Sequence, residues 1–218
     1  MAYKHIIWDW NGTLLDDNQL AINSINTVLQ RYRLPTIELE NYLKIFTFPV
    51  VEYYAKLGFD FKKNPFEKVG TEFIEEYTAG MFDPHLHSAA SITLSQIDKS
   101  KTSQSLLSAA KQQMLDTLMR YHKLETHFIN VIGLDNHYAY SKLDAGRNWM
   151  NVLEHGPHEV LFIGDTIHDF DVAQQIGADC ILVSHGHTNH ARLLTTGVPV
   201  FHSFTEMQPW LRAKLIYN

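Results

Sequence analysis

Asp9 ends a short apolar run, His5, Ile6, Ile7 and Trp8, and is followed closely by Asn11, Gly12 and Thr13. A run this short, with β-branched and aromatic members and a Gly just after it, reads as a buried parallel strand with Asp9 at its carboxyl end. Ligands of open α/β sheets bind in the crevice outside those ends, so a carboxylate there is placed for chemistry. A turn or helix cap is the other reading, because Asp and Asn before Gly are ordinary turn residues. The stretch from Val160 to Ala173 repeats the pattern: Val160 to Ile163 is apolar, and Gly164, Asp165, Thr166 and Asp169 follow. Two buried strands delivering carboxylates to one sheet edge would make a dense negative cluster. A cation must offset it, and an all-oxygen ligand set favours Mg²⁺.

The elements that must position these residues follow from apolar spacing. Asp16, Asp17 and Asn18 offer N-caps to a helix with Ala21, Ile25, Val28, Leu29 and Tyr32 on one face, ended by Leu34-Pro35. Helices are expected over Thr36 to Ile45, Val50 to Leu57 and Phe66 to Tyr77, and no strand-like run appears between Leu15 and His87. Residues 16–87 therefore read as an inserted helical cap domain, with hinges near Leu14 to Asp16 and Asp83 to His87. The aromatic junction Phe46 to Tyr54 is a candidate wall of a substrate pocket, although most of Phe46, Phe48, Tyr53 and Tyr54 read more simply as cap core. Residues 1–15 and 88–218 alternate helix and strand. The spacing predicts helices over Ala89–Ile97, Lys111–His122, Leu143–Leu153, Asp169–Ile176 and Phe204–Ala213. It predicts strands over Gln104–Ser108, Phe128–Ile132, Cys180–Val183 and Val198–Phe201. The expected fold class is α/β: a Rossmann-like, doubly wound parallel sheet with an inserted α-helical cap.

Four ordered motifs carry a resemblance: DWNGT at 9–13, SLLSAA with Ser108, YSKLD with Lys142, and GDTIHD at 164–169. Together they resemble the haloacid dehalogenase superfamily, in its phosphoglycolate-phosphatase-like branch with a helical cap. The resemblance spans nearly the whole chain. It implies Asp9 as nucleophile, attacking phosphorus to form an aspartyl-phosphate that water then hydrolyses. It implies Mg²⁺ held by Asp9, the backbone carbonyl of Asn11, Asp165 and Asp169, the last directly or through water. Lys142 would neutralise charge, and Ser108, with Ala109 beside it, would meet a phosphoryl oxygen. Gly12 and Thr13 would lend backbone N–H donors, and Thr47 and Pro49 of the cap would touch substrate.

One residue departs from the pattern. Phosphatases of this family usually carry a second Asp two residues after the nucleophile, as acid and base, and this chain has Asn11. An amide cannot take up or release that proton, and such a loss typically costs about 10²–10⁴-fold in rate. Three readings follow: a slow phosphatase or one favouring good leaving groups, a substitute such as His168, or a phosphate- and metal-binding module with little or no turnover. Phosphonate cleavage would need a desolvated cap lysine, and Lys44, Lys56, Lys62 and Lys63 offer none. Dehalogenation would not need the metal carboxylates. Asp171 reads as an exposed helix carboxylate. His185, His187 and His190 read as a solvated loop, because nothing completes a tetrahedral zinc set.

Composition bounds the partners. The 218 residues are 45% hydrophobic, enough for a real core, and the net charge of −6 without a basic run argues against nucleic acid and anionic membrane. The single Cys180 forms no intrachain disulfide, which suits a reducing compartment. With no signal peptide and no bilayer-spanning run, the expected location is the cytoplasm. The expected partner is a small phosphorylated metabolite, met by a monomer or homodimer.

Overall fold

The computed structural model describes residues 2–134, 142–153, 155–156 and 158–217. A six-stranded parallel sheet is built from β1 (His5–Trp8), β2 (Ser103–Lys111), β3 (Asn130–Leu134), β4 (Val160–Gly164), β5 (Asp179–Val183) and β6 (Val200–Phe201), in the order β3-β2-β1-β4-β5-β6. From β1 the chain adds strands on one side, then returns to add β4 on the other. The crevice between β1 and β4 is therefore the topological switch point, where such folds bind ligands.

Helices cover both faces because side chains alternate along each strand. Ile6, Trp8, Leu106, Ile163 and Val183 point to one layer, packed by α5 (Ala90–Ile97), α6 (Gln112–His122) and α10 (Phe204–Arg212). Ile7, Leu107, Phe162 and Leu182 point to the other, packed by α7 (Lys142–Leu153), α8 (Ile167–Ile176) and α9 (His190–Leu194). Trp8 is wholly buried, and its indole N–H donates to Gln104 Oε1 at 3.0 Å, so its large ring leaves no orphaned polar atom.

Helices α1 (Asn18–Arg31), α2 (Leu39–Ile45), α3 (Val50–Lys56) and α4 (Phe66–Ala79) share a separate apolar cluster that includes Ile25, Leu29, Tyr42, Tyr54 and Val69. The two segments joining this block to the sheet pair with each other. Leu15 bridges Leu86, the Asp16 N–H donates to His85 O and the His87 N–H to Leu14 O, both at 2.9 Å.

All six expected strands form, and differences lie mostly at element ends. β2 does not end at Ser108 but runs to Lys111, with a register irregularity against β3 between Leu107 and Lys111. The short helix α9 and a 3₁₀ turn at Glu125–His127 had no periodic signal, being too short to carry one. Among the described residues no helix is long and apolar enough to cross a membrane.

Candidate active site

Register fixes where the two acidic strand ends meet. Trp8 pairs with Ile163 across β1 and β4, and the Asp9 N–H donates to Ile163 O at 2.9 Å. Asp9 and Asp165 therefore emerge side by side at the switch point, each with almost no exposure. Asp169 joins them from the first turn of α8. Thr166 caps that helix, its Oγ1 accepting from the Asp169 N–H while Asp169 Oδ2 accepts from the Thr166 N–H at 3.0 Å, a reciprocal capping box. Carboxylate oxygens of Asp9, Asp165 and Asp169 all lie within 4.8 Å of one another.

Lys142, the first residue of α7, reaches into this cluster. Its Nζ lies 2.6 Å from both Asp9 Oδ1 and Asp169 Oδ1. Burial disfavours a buried ammonium, but the two carboxylates outweigh it and hold Lys142 charged. For Asp169 burial is likewise outweighed, by Lys142, His168 and the capping hydrogen bonds, and its carboxyl sits below the usual range. Asp9 is pushed up to about 6, chiefly by burial, with Lys142 pulling down and Asp169 pushing up. Asp165 rises well above the normal carboxylate range, because burial and the neighbouring carboxylates exceed what His187 returns. Three buried carboxylates thus face one lysine, a charge deficit that a divalent cation would fill. Oxygen donors alone suit Mg²⁺. Asp169 has both oxygens engaged, one by Lys142 and the other by Thr166 and the Asp165 N–H. Asp165 is engaged on both oxygens too, by the Thr13 hydroxyl and the His187 N–H, so hydrogen bonding does not rank the three carboxylates, and Asp9, Asp165 and Asp169 together could hold the ion.

The loop after Asp9 behaves differently from expectation. Thr13 is fully buried, and its hydroxyl donates to Asp165 Oδ1 at 2.8 Å and lies 3.2 Å from Asp9 Oδ2. The Gly12 N–H is taken by Leu15 O at 3.0 Å and Asp17 Oδ1 at 2.8 Å, so it is not presented as an anion donor. Neither residue lines the cavity above the carboxylates. Gly12 has φ +72, and a Cβ there would fall 2.4 Å from Asp165 Oδ2. Gly186 approaches the same oxygen from the other side, where a Cβ would fall 2.2 Å away. These two glycines let backbone close around Asp165.

Asp17 is the residue sequence reasoning placed least well. It stands at the N-cap position of α1 but makes no side-chain cap bond. Its Oδ2 instead accepts from Asn11 Nδ2 at 2.8 Å and Tyr77 Oη at 2.7 Å, and its Oδ1 lies 3.2 Å from His187 Nε2. His187 is buried, not solvated, and its Nδ1 is 2.8 Å from Tyr42 Oη. Burial opposes the imidazolium, but Asp17, with help from Asp165 and Asp9, lifts His187 to about 9. Burial of Asp17 is in turn offset by His187, Tyr77 and Asn11, and its carboxyl stays below the usual range. A buried ion pair therefore sits behind Asn11. The doublet Asp16-Asp17 was the available signal: one Asp suffices as a cap, and Asp16 is exposed.

A cavity of about 570 Å³ opens above the cluster, lined at its polar end by Asp9, Asn11, Ser108, Ala109, Lys142 and Asp169. Ser108 is buried, and its Oγ accepts from the Ala110 N–H at 3.0 Å. Thr47 and Pro49 do not line this cavity, whereas Phe46, Phe48 and Val50 do. His168 is also turned away. Its ring stacks on Phe48 at 4.5 Å and lines a separate small cavity, and burial, with the Lys142 charge, lowers it to about 4. Asp171 is exposed, as expected. Tyr140 and Ser141 of the YSKLD motif lie outside the described residues.

Residues 6–183 match the family model for haloacid dehalogenase-like hydrolases. The chain belongs to that family. Curated relatives of this haloacid dehalogenase-like hydrolase include a phosphoglycolate phosphatase from Aliivibrio fischeri, 22% identical over 206 residues that cover 90% of each chain. Another is the pyrophosphatase PpaX from Bacillus cereus, 21% identical over 190 residues and 84% of each chain. Among solved structures, a haloacid dehalogenase-like family hydrolase from Streptococcus pneumoniae superimposes with a TM-score of 0.82 at 16% identity, covering 95% of this chain and 98% of that one. This haloacid dehalogenase-like hydrolase thus has phosphatases as its homologues and an acidic triad that could hold a metal ion.

Proposed function

We propose that this enzyme is a Mg²⁺-dependent phosphatase that hydrolyses a small phosphorylated metabolite through an aspartyl-phosphate on Asp9. The observation that carries the reading is the convergence of Asp9, Asp165, Asp169 and Lys142, with Asp9, Asp169 and Lys142 lining the polar end of a cavity whose cap wall is aromatic. Asp9, Asp165, Asp169 and the Asn11 carbonyl would hold Mg²⁺, which would supply Lewis-acid charge neutralisation at the phosphoryl group. Asp9 attacks phosphorus, the bond to the leaving oxygen breaks, and water later attacks the aspartyl-phosphate to release phosphate and restore the carboxylate. Lys142 stabilises negative charge on Asp9 and on the transferring group, and Ser108 orients a phosphoryl oxygen. Thr13 holds Asp9 and Asp165 in register, and Thr166 fixes Asp169 against Lys142. Helices α1 to α4, within residues 16–87, act as the cap that excludes water from the site.

Asn11 leaves the site without the second carboxyl that usually serves as acid and base. Its amide donates to Asp17 and Tyr77, so it braces the wall of the site but cannot protonate an alkoxide. The enzyme therefore favours leaving groups that depart without strong acid help. Phosphate release from an activated aryl phosphate should depend on Mg²⁺ and vanish in Asp9→Asn. Folded, Mg²⁺-bound wild type without turnover would favour a phosphate- and metal-binding module instead.

A further inference from the structure

The family relatives act on small anionic substrates by name, yet the upper cavity of this chain is built for something else. Its cap wall is aromatic, with Tyr42, Phe46, Phe48, Tyr53, Phe66 and Phe73 among the lining residues. No Lys, Arg or His of residues 16–87 lines it, and Asp17, just before α1, is the charged residue they contribute. On the sheet side the lining cations among the described residues are Lys142 and His187, both engaged by carboxylates at the floor, and the exposed Lys111. A carboxylate or second phosphate held against the cap wall would therefore lie among rings, with no cation of that wall to pair with it, and burying an unpaired anion costs several kcal/mol. The volume of about 570 Å³ lies within the ~300–1,000 Å³ range of pockets for drug-sized ligands. One polar group in this wall has no partner among the described residues: the Tyr53 hydroxyl, on a side chain 2% exposed.

We propose that the natural substrate class is the phosphate monoester of an aromatic or bulky apolar alcohol, neutral beyond its phosphate and offering one hydrogen-bonding atom to Tyr53. This rests on the phosphatase reading above. The phosphate meets Asp9, Ser108 and Lys142, and the organic group fills the aromatic wall between α2, α3 and α4. Aromatic offset and edge contacts reward rings over chains of equal size. Tyr42 and Tyr77 face the cavity with hydroxyls already committed to His187 and Asp17, which leaves Tyr53 to set orientation.

The test compares alkoxide leaving groups of similar basicity, so that chemistry is matched and binding differs. kcat/KM is measured with Mg²⁺ for ethyl, benzyl and 2-naphthylmethyl phosphate and for phosphoglycolate. In parallel, calorimetry compares the non-hydrolysable benzylphosphonate, methylphosphonate and phosphonoacetate. The expected result is a rise of at least about tenfold from ethyl to the aryl substrates, with phosphoglycolate no better than ethyl phosphate. Ile74→Lys, placing a cation in the cap wall, should shift the benzyl-to-phosphoglycolate ratio at least about tenfold toward the acid. That ratio does not depend on the fraction of protein folded. Turnover that is flat across the series, or best with phosphoglycolate, overturns the proposal and leaves the phosphatase reading intact. No turnover of these esters or of an activated aryl phosphate, with benzylphosphonate bound at least tenfold more tightly than the other two, removes the phosphatase reading and sustains the apolar pocket. No turnover and no binding preference removes both.

Discussion

Asn11 and Asp17 are best understood as a pair. In Asn11 the amide nitrogen sits 2.8 Å from Asp17 Oδ2, and Tyr77 bonds to both. Restoring an acid by Asn11→Asp alone would set two carboxylates at that distance, and like charges so close cannot both ionise without cost. The single variant should therefore lose about 1–3 kcal/mol of stability near neutral pH, measured by denaturant unfolding. Asn11→Asp combined with Asp17→Asn should recover most of it, because one amide and one carboxylate again face each other. If hydrolysis is limited by the missing proton shuttle, the double variant is also the one that should gain rate. Lys142 poses the opposite problem. Lys142→Met would leave Asp9 and Asp169 buried without their cation, a loss of about 3–5 kcal/mol. Melting in EDTA should reveal it in full, and saturating Mg²⁺ should narrow the gap to wild type.

At the scale of elements, two strand ends and two helix starts do the positioning. β1 and β4 aim Asp9 and Asp165, while the capping box of α8 and the first turn of α7 bring Asp169 and Lys142 to them. The loop after β1 is held by backbone geometry that only glycine adopts without strain. Gly12→Ala meets both a φ of +72 and a contact of 2.4 Å with Asp165, so the loop must open. Activity should fall by at least about tenfold and Mg²⁺ should stabilise the variant less than wild type; a thermal shift titration with Mg²⁺ reads this. The motif GDTIHD was legible because an apolar run ends in Gly and carboxylates within a few consecutive residues, and the capping box that fixes Asp169 is equally local. Asp17 was not, because its partners Tyr77 and His187 come from α4 and from the β5–α9 loop, far away in sequence.

Across the whole molecule, helices on both faces of the sheet bury histidines that cannot be charged in place. His5, on β1 at the opposite end from the site, has ring nitrogens 2.7 Å from Ser103 Oγ and Ser105 Oγ. Burial, and then the neighbouring His155, lower it to about 3. Its unfolded value is about 6.5. The unfolded chain therefore takes up a proton that the fold refuses, and stability is lost as pH falls from 6.5 toward 3. Between pH 6.5 and pH 5 wild type should lose about 1–2 kcal/mol more than His5→Gln, read by denaturant unfolding at each pH. The cap is tied to the core by similar long-range contacts: Tyr42 to His187, Tyr77 to Asn11, and Arg192 to the Phe46 carbonyl at 2.8 Å.

The order of the strands, the helical insert and the residues Asp9, Lys142, Asp165 and Asp169 were determined by the sequence itself. Apolar runs and strand-end carboxylates are local patterns, written in consecutive residues, and Lys142 was legible through the order of the motifs that carry the family resemblance. What only the tertiary structure decided is which side of each loop faces the cavity. It turned Thr47, Pro49 and His168 away, buried His187 against Asp17, and gave the cap an aromatic, cation-free wall. These outcomes depend on packing between segments distant in the chain, where a single residue's orientation is set by neighbours that no local spacing names.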